Sequence, residues 1–148
     1  MKKINYSTKD YPFADIIGDI LNTTNLSKIH EEDHFEKYDV FKREEDQSTW
    51  YRDKKWHEEV CELNYYLPFT KAYGTNTIWV ESEEDKGDFS PMSVEYGECI
   101  QWNGSNLTHG NKQNKTNTTR ISVDFRIMPY SKYKPSNHGA INTKVEFA

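Results

Sequence analysis

The stretch Leu107–Arg126, LTHGNKQNKTNTTRISVDFR, joins a polar connection to a segment in which apolar and polar residues alternate strictly. Alternation with a period of two is typical of a β-strand whose two faces meet different surroundings. The Asn-, Gly-, Lys- and Thr-rich residues before it predict a turn or loop. If the chain before this loop is an antiparallel neighbour of the strand, His109 and Arg120 lie at the same end of one sheet.

The polar face of this strand carries Arg120, Ser122, Asp124 and Arg126. The first two side chains point the same way, two residues apart, and place a guanidinium beside a hydroxyl. Such a pair suits a carboxylate, which arginine can hold with two hydrogen bonds while serine adds a third. The alternative is the exposed polar face of an edge strand, and the pattern alone favours that alternative.

Several other short runs between residues 60 and 100 are rich in β-branched and aromatic residues. Turn signals separate them, and no helical period occurs among them. Short strands at this spacing predict an antiparallel sandwich, barrel or jelly roll. The runs are VCELNYYLPF (60–69), NTIWVE (76–81) and MSVEYGECI (92–100).

Residues 1–50 differ from residues 51–148, although the length of 148 residues fits one domain. The stretch DYPFADIIGDILNT (10–23) has apolar residues at helical spacing and predicts a helix. The charged stretch HEEDHFE (30–36) predicts a solvated acidic helix, with a metal site from His30, Glu31 and His34 as the alternative. We therefore predict an N-terminal helical and charged segment, 1–50, that packs on a β domain, 51–148.

Composition restricts the partners and the location of the protein. Aromatic residues make up 14% of the chain, which favours a folded, β-rich core over disorder. The net charge of −5, without a basic patch, argues against a nucleic-acid partner. We find neither an apolar membrane span nor a signal peptide, and predict reduced, buried Cys61 and Cys99 in a cytoplasmic protein. The sequence leaves a homo-oligomer open.

Two longer blocks resemble the Fe(II)/2-oxoglutarate-dependent oxygenases: ELNYYLPFTKAYGTNTIWVESEEDKGDF (62–89) and YGECIQWNGSNLTHGNKQNKTNTTRISVDFRIMP (96–129). The similarity is to the phytanoyl-CoA-dioxygenase-like proteins and to hydroxylases linked to streptomycin-type biosynthesis. It covers about Tyr51 to Pro129. The resemblance implies a mainly β fold, the double-stranded β-helix or jelly roll, with an N-terminal helical segment. It also implies hydroxylation of a small molecule with Fe(II) and 2-oxoglutarate as cofactors.

The resemblance assigns roles to individual residues. His109 is implied as an iron ligand, and Arg120 with Ser122 is implied to hold the far carboxylate of 2-oxoglutarate. The remaining residues implied at the cavity are Asn64, beside the cofactor, and Trp79 and Glu81.

The first two ligands of the family, a His-x-Asp pair, are matched only in part. Asp53 stands at the carboxylate position, but Tyr51 stands where the family has histidine. A phenol is a poor ligand for Fe(II) at neutral pH because its usual pKa is about 10. The sequence offers a shifted pair, His57 and Glu59, as a substitute.

The family also has more chain before this pair, and a complete jelly roll has about eight strands. We count only four secure strands, so the jelly roll is expected to be incomplete. Three hypotheses follow: an active oxygenase, a degenerate jelly roll that binds a small acidic ligand or a protein partner without turnover, and a cupin-like sugar-binding module. Whether the chain is an enzyme stays open at this stage.

Overall fold

The computed structural model describes residues 1–32, 50–53 and 63–132. Within them the chain forms one helix and seven short strands, connected by turns and three short 3-10 helices. In chain order the elements are β1 (Lys2–Asn5), α1 (Phe13–Leu21), a 3-10 helix (Leu26–Glu31), β2 (Leu63–Pro68), a 3-10 helix (Gly74–Asn76), β3 (Ile78–Val80), β4 (Ser90–Pro91), β5 (Glu98–Trp102), β6 (His109–Asn111), β7 (Ser122–Ile127) and a 3-10 helix (Tyr130–Lys132).

The strands form two antiparallel sheets. The larger has the order β1-β5-β2-β7, and the smaller has the order β4-β3-β6. Crossovers between strands that are distant in sequence give both sheets a non-sequential order, which is compatible with a β-sandwich. The prediction of a mainly β protein with little helix is therefore confirmed.

The core lies where the inner faces of both sheets meet. Tyr66 and Trp102 come from the larger sheet and Val80 from the smaller one, and each is no more than 3% exposed. Their alternation along each strand places every second side chain on this inner face. The other members of the buried cluster are Ala72, Met92, Val94 and Ile100.

The two faces of β7 are reversed relative to an ordinary edge strand. Its apolar residues Val123, Phe125 and Ile127 are 39%, 39% and 51% exposed, and Phe125 stacks on Tyr65 of β2 on the outer side of the sheet. The polar residues face inward, where Arg126 reaches a buried carboxylate. The interpretation of this polar face as the exposed face of an edge strand therefore holds in part: Asp124 and Arg126 are exposed and Arg120 and Ser122 are half-buried, while Arg126 also bonds to a buried group.

The N-terminal segment agrees with its prediction in part. Helix α1 forms within the predicted stretch and ends at Asn22, whose backbone is left-handed. Its residues Ile16 and Ile20 are 48% and 71% exposed. Strand β1 was not predicted, because KKIN lacks an apolar alternation; backbone pairing with β5 holds it in the sheet.

Two further predictions concern the cysteines and the membrane. Cys99 is buried and carries a free thiol, as expected, whereas Cys61 lies outside the described residues. In the described part of the chain, α1 and the 3-10 turns are all too short or too polar to cross a bilayer.

The outward position of the apolar residues of β7 leads to a stability prediction that compares a buried isoleucine of β5 with an exposed one of β7. Truncating buried Ile100 to alanine should lower the free energy of unfolding by about 2–5 kcal/mol, through lost burial and the cavity left behind. The matched change Ile127→Ala, on the exposed face, should cost about 0.5 kcal/mol or less. Urea unfolding of both variants measures the difference, and equal losses would contradict the orientation of β7.

Candidate functional site

The candidate site begins with the short segment Tyr51–Asp53, which pairs with the backbone of β6. The Tyr51 and His109 backbones exchange two N–H···O=C hydrogen bonds, both of 2.9 Å. The Asp53 N–H donates to the Gly104 carbonyl at 2.9 Å. These bonds bring Asp53 and His109 together, although 56 positions separate them in the sequence.

His109 is buried and its tautomer is defined by one contact. Nδ1 lies 2.9 Å from the Leu107 carbonyl oxygen, which can only accept, so Nδ1 carries the hydrogen. Burial lowers the pKa of His109 below its ordinary value of 6.5, against the raising effects of the Leu107 carbonyl and Asp53. The neutral ring therefore presents the lone pair of Nε2, which lies 3.6 Å from Oδ1 of Asp53.

The carboxylate of Asp53 is only 5% exposed, and its second oxygen has two donors. Oδ2 accepts a hydrogen bond from Nδ2 of Asn64 and another from Nη2 of Arg126, both of 3.0 Å. Gly104, in the turn after β5, packs close to the same oxygen, because a Cβ at this position would lie only 2.8 Å from Oδ2. Two donors and a glycine therefore surround Oδ2, while Oδ1 faces His109.

Aromatic rings cover the histidine on two sides. The Tyr51 ring is tilted against it at a centroid distance of 4.5 Å, and the Trp102 ring meets it edge-on at 4.7 Å. Tyr51 thus lies beside His109. Its ring helps to keep water away from the Asp53–His109 pair.

The predicted anion-binding pair lies at the start of β7, with Arg120 two residues before the strand and Ser122 as its first residue. Arg120 donates to Oδ1 of Asn111 at 3.1 Å, and its guanidinium carbon lies 6.0 Å from the centre of the Tyr66 ring. Ser122 is half-buried, two residues along the same face. Among the described residues, the buried hydroxyl of Tyr66 and the buried Nε1 of Trp102 have no hydrogen-bond partner. A polar ligand at this inner face would provide partners that the described residues do not.

Asp124 adds a second carboxylate to this face, between Ser122 and Arg126. The pKa of Asp124 is raised to about 6, chiefly because the carboxyl group has lost hydration, although the residue as a whole, on its edge strand, is exposed. The nearby charge of Asp53 also raises it, whereas Arg126, Arg120 and a hydrogen bond from Asn64 lower it.

Glu81, predicted to line the cavity, is a fully buried carboxylate with several hydrogen-bond donors. Burial acts to raise its pKa, but hydrogen bonds from Thr108 and from the Gly87 backbone outweigh that effect and hold the pKa at about 2. Its carboxylate accepts the Thr108 N–H at 2.6 Å and lies 3.3 Å from Nη2 of Arg52. Glu81 therefore anchors the two segments that carry Asp53 and His109.

Trp79, also predicted to line the cavity, lies on the face of β3 that points away from the core. Its neighbours on β3, Ile78 and Val80, pack on the core, so Trp79 projects to the other face. Its indole N–H donates to the Gly74 carbonyl at 2.8 Å, and Nζ of Lys112 lies 3.2 Å from its ring centre. These contacts support the loop between β6 and β7.

The predicted site residues are therefore assembled in part. The structure brings together Asp53, His109 and Asn64, whereas His57 and Glu59 lie outside the described residues. Arg126 and Gly104 were not predicted as site residues. The sequence placed Arg126 on the polar face of β7 and did not indicate its bond to Asp53. Gly104 lies in WNGSN, a pattern that indicates only a turn.

The alternative metal site in the N-terminal segment is not assembled by the described residues. His30 approaches Thr119 at 2.7 Å and Asn117 at 3.4 Å, and His34 lies outside the described residues. Within residues 1–32, 50–53 and 63–132, no group of three or more His, Cys, Asp or Glu side chains is placed to hold one metal ion.

No protein-family model matches the chain. A curated relative is the streptomycin biosynthesis protein StrG of Streptomyces griseus, which is 40% identical over 99 residues. The match covers 67% of this chain and 46% of the relative, so the chain spans less than half the length of the relative it matches. The similarity agrees with the predicted link to proteins of streptomycin-type biosynthesis, and it leaves the oxygenase part of that prediction untested.

Proposed function

We propose that the chain forms the core of an Fe(II)- and 2-oxoglutarate-dependent oxygenase that hydroxylates a small molecule in a biosynthetic pathway. The biosynthetic part is supported by the similarity to a streptomycin biosynthesis protein. The oxygenase part is supported by the family resemblance of residues 51–129 and by one observation: two acceptor atoms, Nε2 of His109 and Oδ1 of Asp53, face each other at 3.6 Å.

Two facing lone pairs favour a cation between them. Because Nδ1 of His109 carries the hydrogen, Nε2 is an acceptor, and a carboxylate oxygen is also an acceptor. At 3.6 Å the two atoms are too far apart for a hydrogen bond. Two ligands of one ion, each at about 2.1 Å, are about 3.4 Å apart at the tetrahedral angle and about 3.0 Å apart at the right angle of a six-coordinate site. The pair is therefore slightly wider than two neighbouring ligands of Fe(II), and the two side chains would move together by about 0.5 Å when such a metal binds.

The third protein ligand of an Fe(II) site is proposed from the sequence alone. The family supplies two histidines and one carboxylate, and the described residues gather one of each. His57 or Glu59, a few residues after Asp53, is the candidate that the sequence offers, and both lie outside the described residues.

The inner face of β7 provides the features expected for the cofactor. Arg120 and Ser122 suit the far carboxylate of 2-oxoglutarate. The unpartnered Tyr66 hydroxyl and Trp102 Nε1 are buried polar groups that a bound ligand would satisfy. Both belong to the same core as the rings that surround His109, so one ligand on this face would extend from Arg120 toward the Asp53–His109 pair.

Fe(II) and 2-oxoglutarate, when bound, would supply an oxidant able to hydroxylate an unactivated C–H bond. The residues of the chain would hold and orient these groups. His109, kept neutral by burial, would present Nε2, and Asp53 would present Oδ1. Tyr51 and Trp102 would exclude water from the pair.

A second function, ligand binding without turnover, is favoured by a different observation. Tyr51 occupies the place of a ligand histidine, and Arg126 already forms an ion pair with Asp53. A guanidinium can neutralise a buried carboxylate as a metal does, which would leave a jelly-roll core that binds a small carboxylate on Arg120.

Binding and turnover separate these two functions. Anaerobic addition of Fe(II) and 2-oxoglutarate to the full chain should produce the charge-transfer absorption of the chelate, and addition of oxygen should yield succinate. His109→Ala should abolish both signals through loss of a metal ligand. Arg120→Ala should weaken 2-oxoglutarate binding about tenfold to a hundredfold, the effect of losing a charge-assisted contact.

Lys3→Gln is the control, because it removes a positive charge paired with Glu98 at the far edge of the same sheet. It should leave both signals unchanged. Binding of 2-oxoglutarate without succinate would support the second function, and the absence of both signals in the unmodified chain would refute the oxygenase proposal.

The affinity for 2-oxoglutarate should depend on pH through Asp124. Its pKa of about 6 means that the carboxyl group is mostly ionised at pH 7.5 and half protonated near pH 6, and an anionic ligand binds better beside the protonated form. We expect binding to tighten by up to about tenfold between pH 7.5 and pH 6. Asp124→Asn should bind more tightly at pH 7.5 and lose this dependence.

Calorimetric titration with Mn(II) in place of Fe(II) measures this dependence without turnover. An unchanged pH profile in Asp124→Asn would show that Asp124 does not face the bound anion.

A further inference from the structure

We infer that Arg126 and Asn64 are positioning residues that, together with Gly104, hold the Asp53 carboxylate in one orientation and leave Oδ1 as its single metal-binding oxygen. We call these three residues the carboxylate seat. The inference rests on the proposed function, since it concerns how Asp53 would bind the metal.

The two oxygens of Asp53 have different surroundings. Oδ2 accepts two hydrogen bonds of 3.0 Å, one from Asn64 and one from Arg126. Oδ1 faces Nε2 of His109 at 3.6 Å. A carboxylate whose second oxygen has two donors binds a metal through the first oxygen alone, because the lone pairs of the second are already engaged.

Gly104 contributes in three ways. Its carbonyl accepts the Asp53 N–H at 2.9 Å, and its N–H donates to Oδ1 of Asn64 at 3.0 Å. A Cβ at this position would lie 2.8 Å from Oδ2 of Asp53 and 3.0 Å from Nδ2 of Asn64, closer than side chains approach. Any larger residue would therefore displace either the carboxylate or the amide that holds it.

The orientation of the Asn64 amide is fixed by its neighbours. The Gly104 N–H requires the amide oxygen on one side, which directs Nδ2 toward the carboxylate. Asn64 is 1% exposed, so its amide has no water with which to exchange these bonds. The family resemblance implied that Asn64 lies beside the cofactor. In the structure Asn64 contacts Asp53, Gly104 and Asp124.

Arg126 supplies the charge of the seat. Its side chain is 36% exposed, so it bonds to Asp53 from the open side of the fold, whereas Asn64 bonds from the buried side. Its guanidinium offsets the second carboxylate on this face, Asp124. Loss of Arg126 would leave Oδ2 with the single donor Asn64 and allow the carboxylate to turn, without removing any metal-binding atom.

Cobalt binding to the full chain tests the seat, because Co(II) can replace Fe(II) in air-stable measurements and its visible spectrum reports the number of ligands. Arg126→Gln should weaken Co(II) binding about tenfold or more, as loss of groups that orient a metal ligand does. It should also change the spectrum. Arg126→Lys should restore part of the affinity, because it keeps a charged donor. Lys3→Gln is again the charge-matched control and should leave the affinity and the spectrum unchanged.

Gly104→Ala provides a second variant that keeps every side-chain donor. It should weaken Co(II) binding at least as much as Arg126→Gln, while urea unfolding of the metal-free chain shows that each variant is folded.

Any other outcome contradicts the inference that the carboxylate seat orients Asp53. Unchanged affinity in Arg126→Gln would show that Arg126 does not orient Asp53, and tighter binding would show that Arg126 competes with the metal; both leave the proposed function standing. If the unmodified chain binds no Co(II), the seat and the proposed function both fail.

Discussion

The buried carboxylate of Asp53 is the constraint on which the rest of the site depends. A carboxylate removed from water is costly unless hydrogen bonds and opposite charge replace its hydration. In this chain the replacement comes from distant parts of the sequence: an asparagine in β2 and an arginine in β7 donate to the carboxylate, and a glycine in the turn after β5 leaves room for it. Because these groups must all reach one oxygen, the carboxylate fixes how the larger sheet meets the segment before it.

The same constraint explains why β7 turns its polar side inward. Arginine, serine and aspartate on this side lie at the edge of the sheet, half-buried or exposed, and they are stabilised by Asp53, by Asn64 and by neighbouring opposite charges. The strand consequently leaves Val123, Phe125 and Ile127 on the outer side. Alternation in the sequence identified the strand and its two faces. It could not assign the faces to the inside and outside, because that depends on a partner 73 residues away.

The sequence predicted the mainly β architecture, helix α1 and the residue types at the site, because those follow from local patterns. Asp53 and His109 were named from the family resemblance, and the structure places them together. Gly104 was missed because an Asn-Gly pair is typical of any turn. The sequence does not show that this glycine also leaves room for a neighbouring carboxylate. Trp79 and Glu81 were assigned to the cavity from their position in a matching block, and that role stays a prediction; the structure gives their contacts, with Gly74 and Lys112 for Trp79 and with Thr108 and Arg52 for Glu81.

Arg52 joins the segment of Asp53 to the loop after β3 through carboxylates of very different accessibility. Glu81 is buried, but Glu84 is 43% exposed and Asp85, which also bonds to Arg52, is 79% exposed. Dissolved salt weakens the attraction between exposed charges, with a screening length of about 8 Å at physiological ionic strength that shortens as salt is added. Buried pairs are screened much less. The loop after β3 can therefore loosen at high ionic strength while Glu81 keeps its ion pair with Arg52, so that salt weakens the outer contacts of Arg52 before it weakens the buried one.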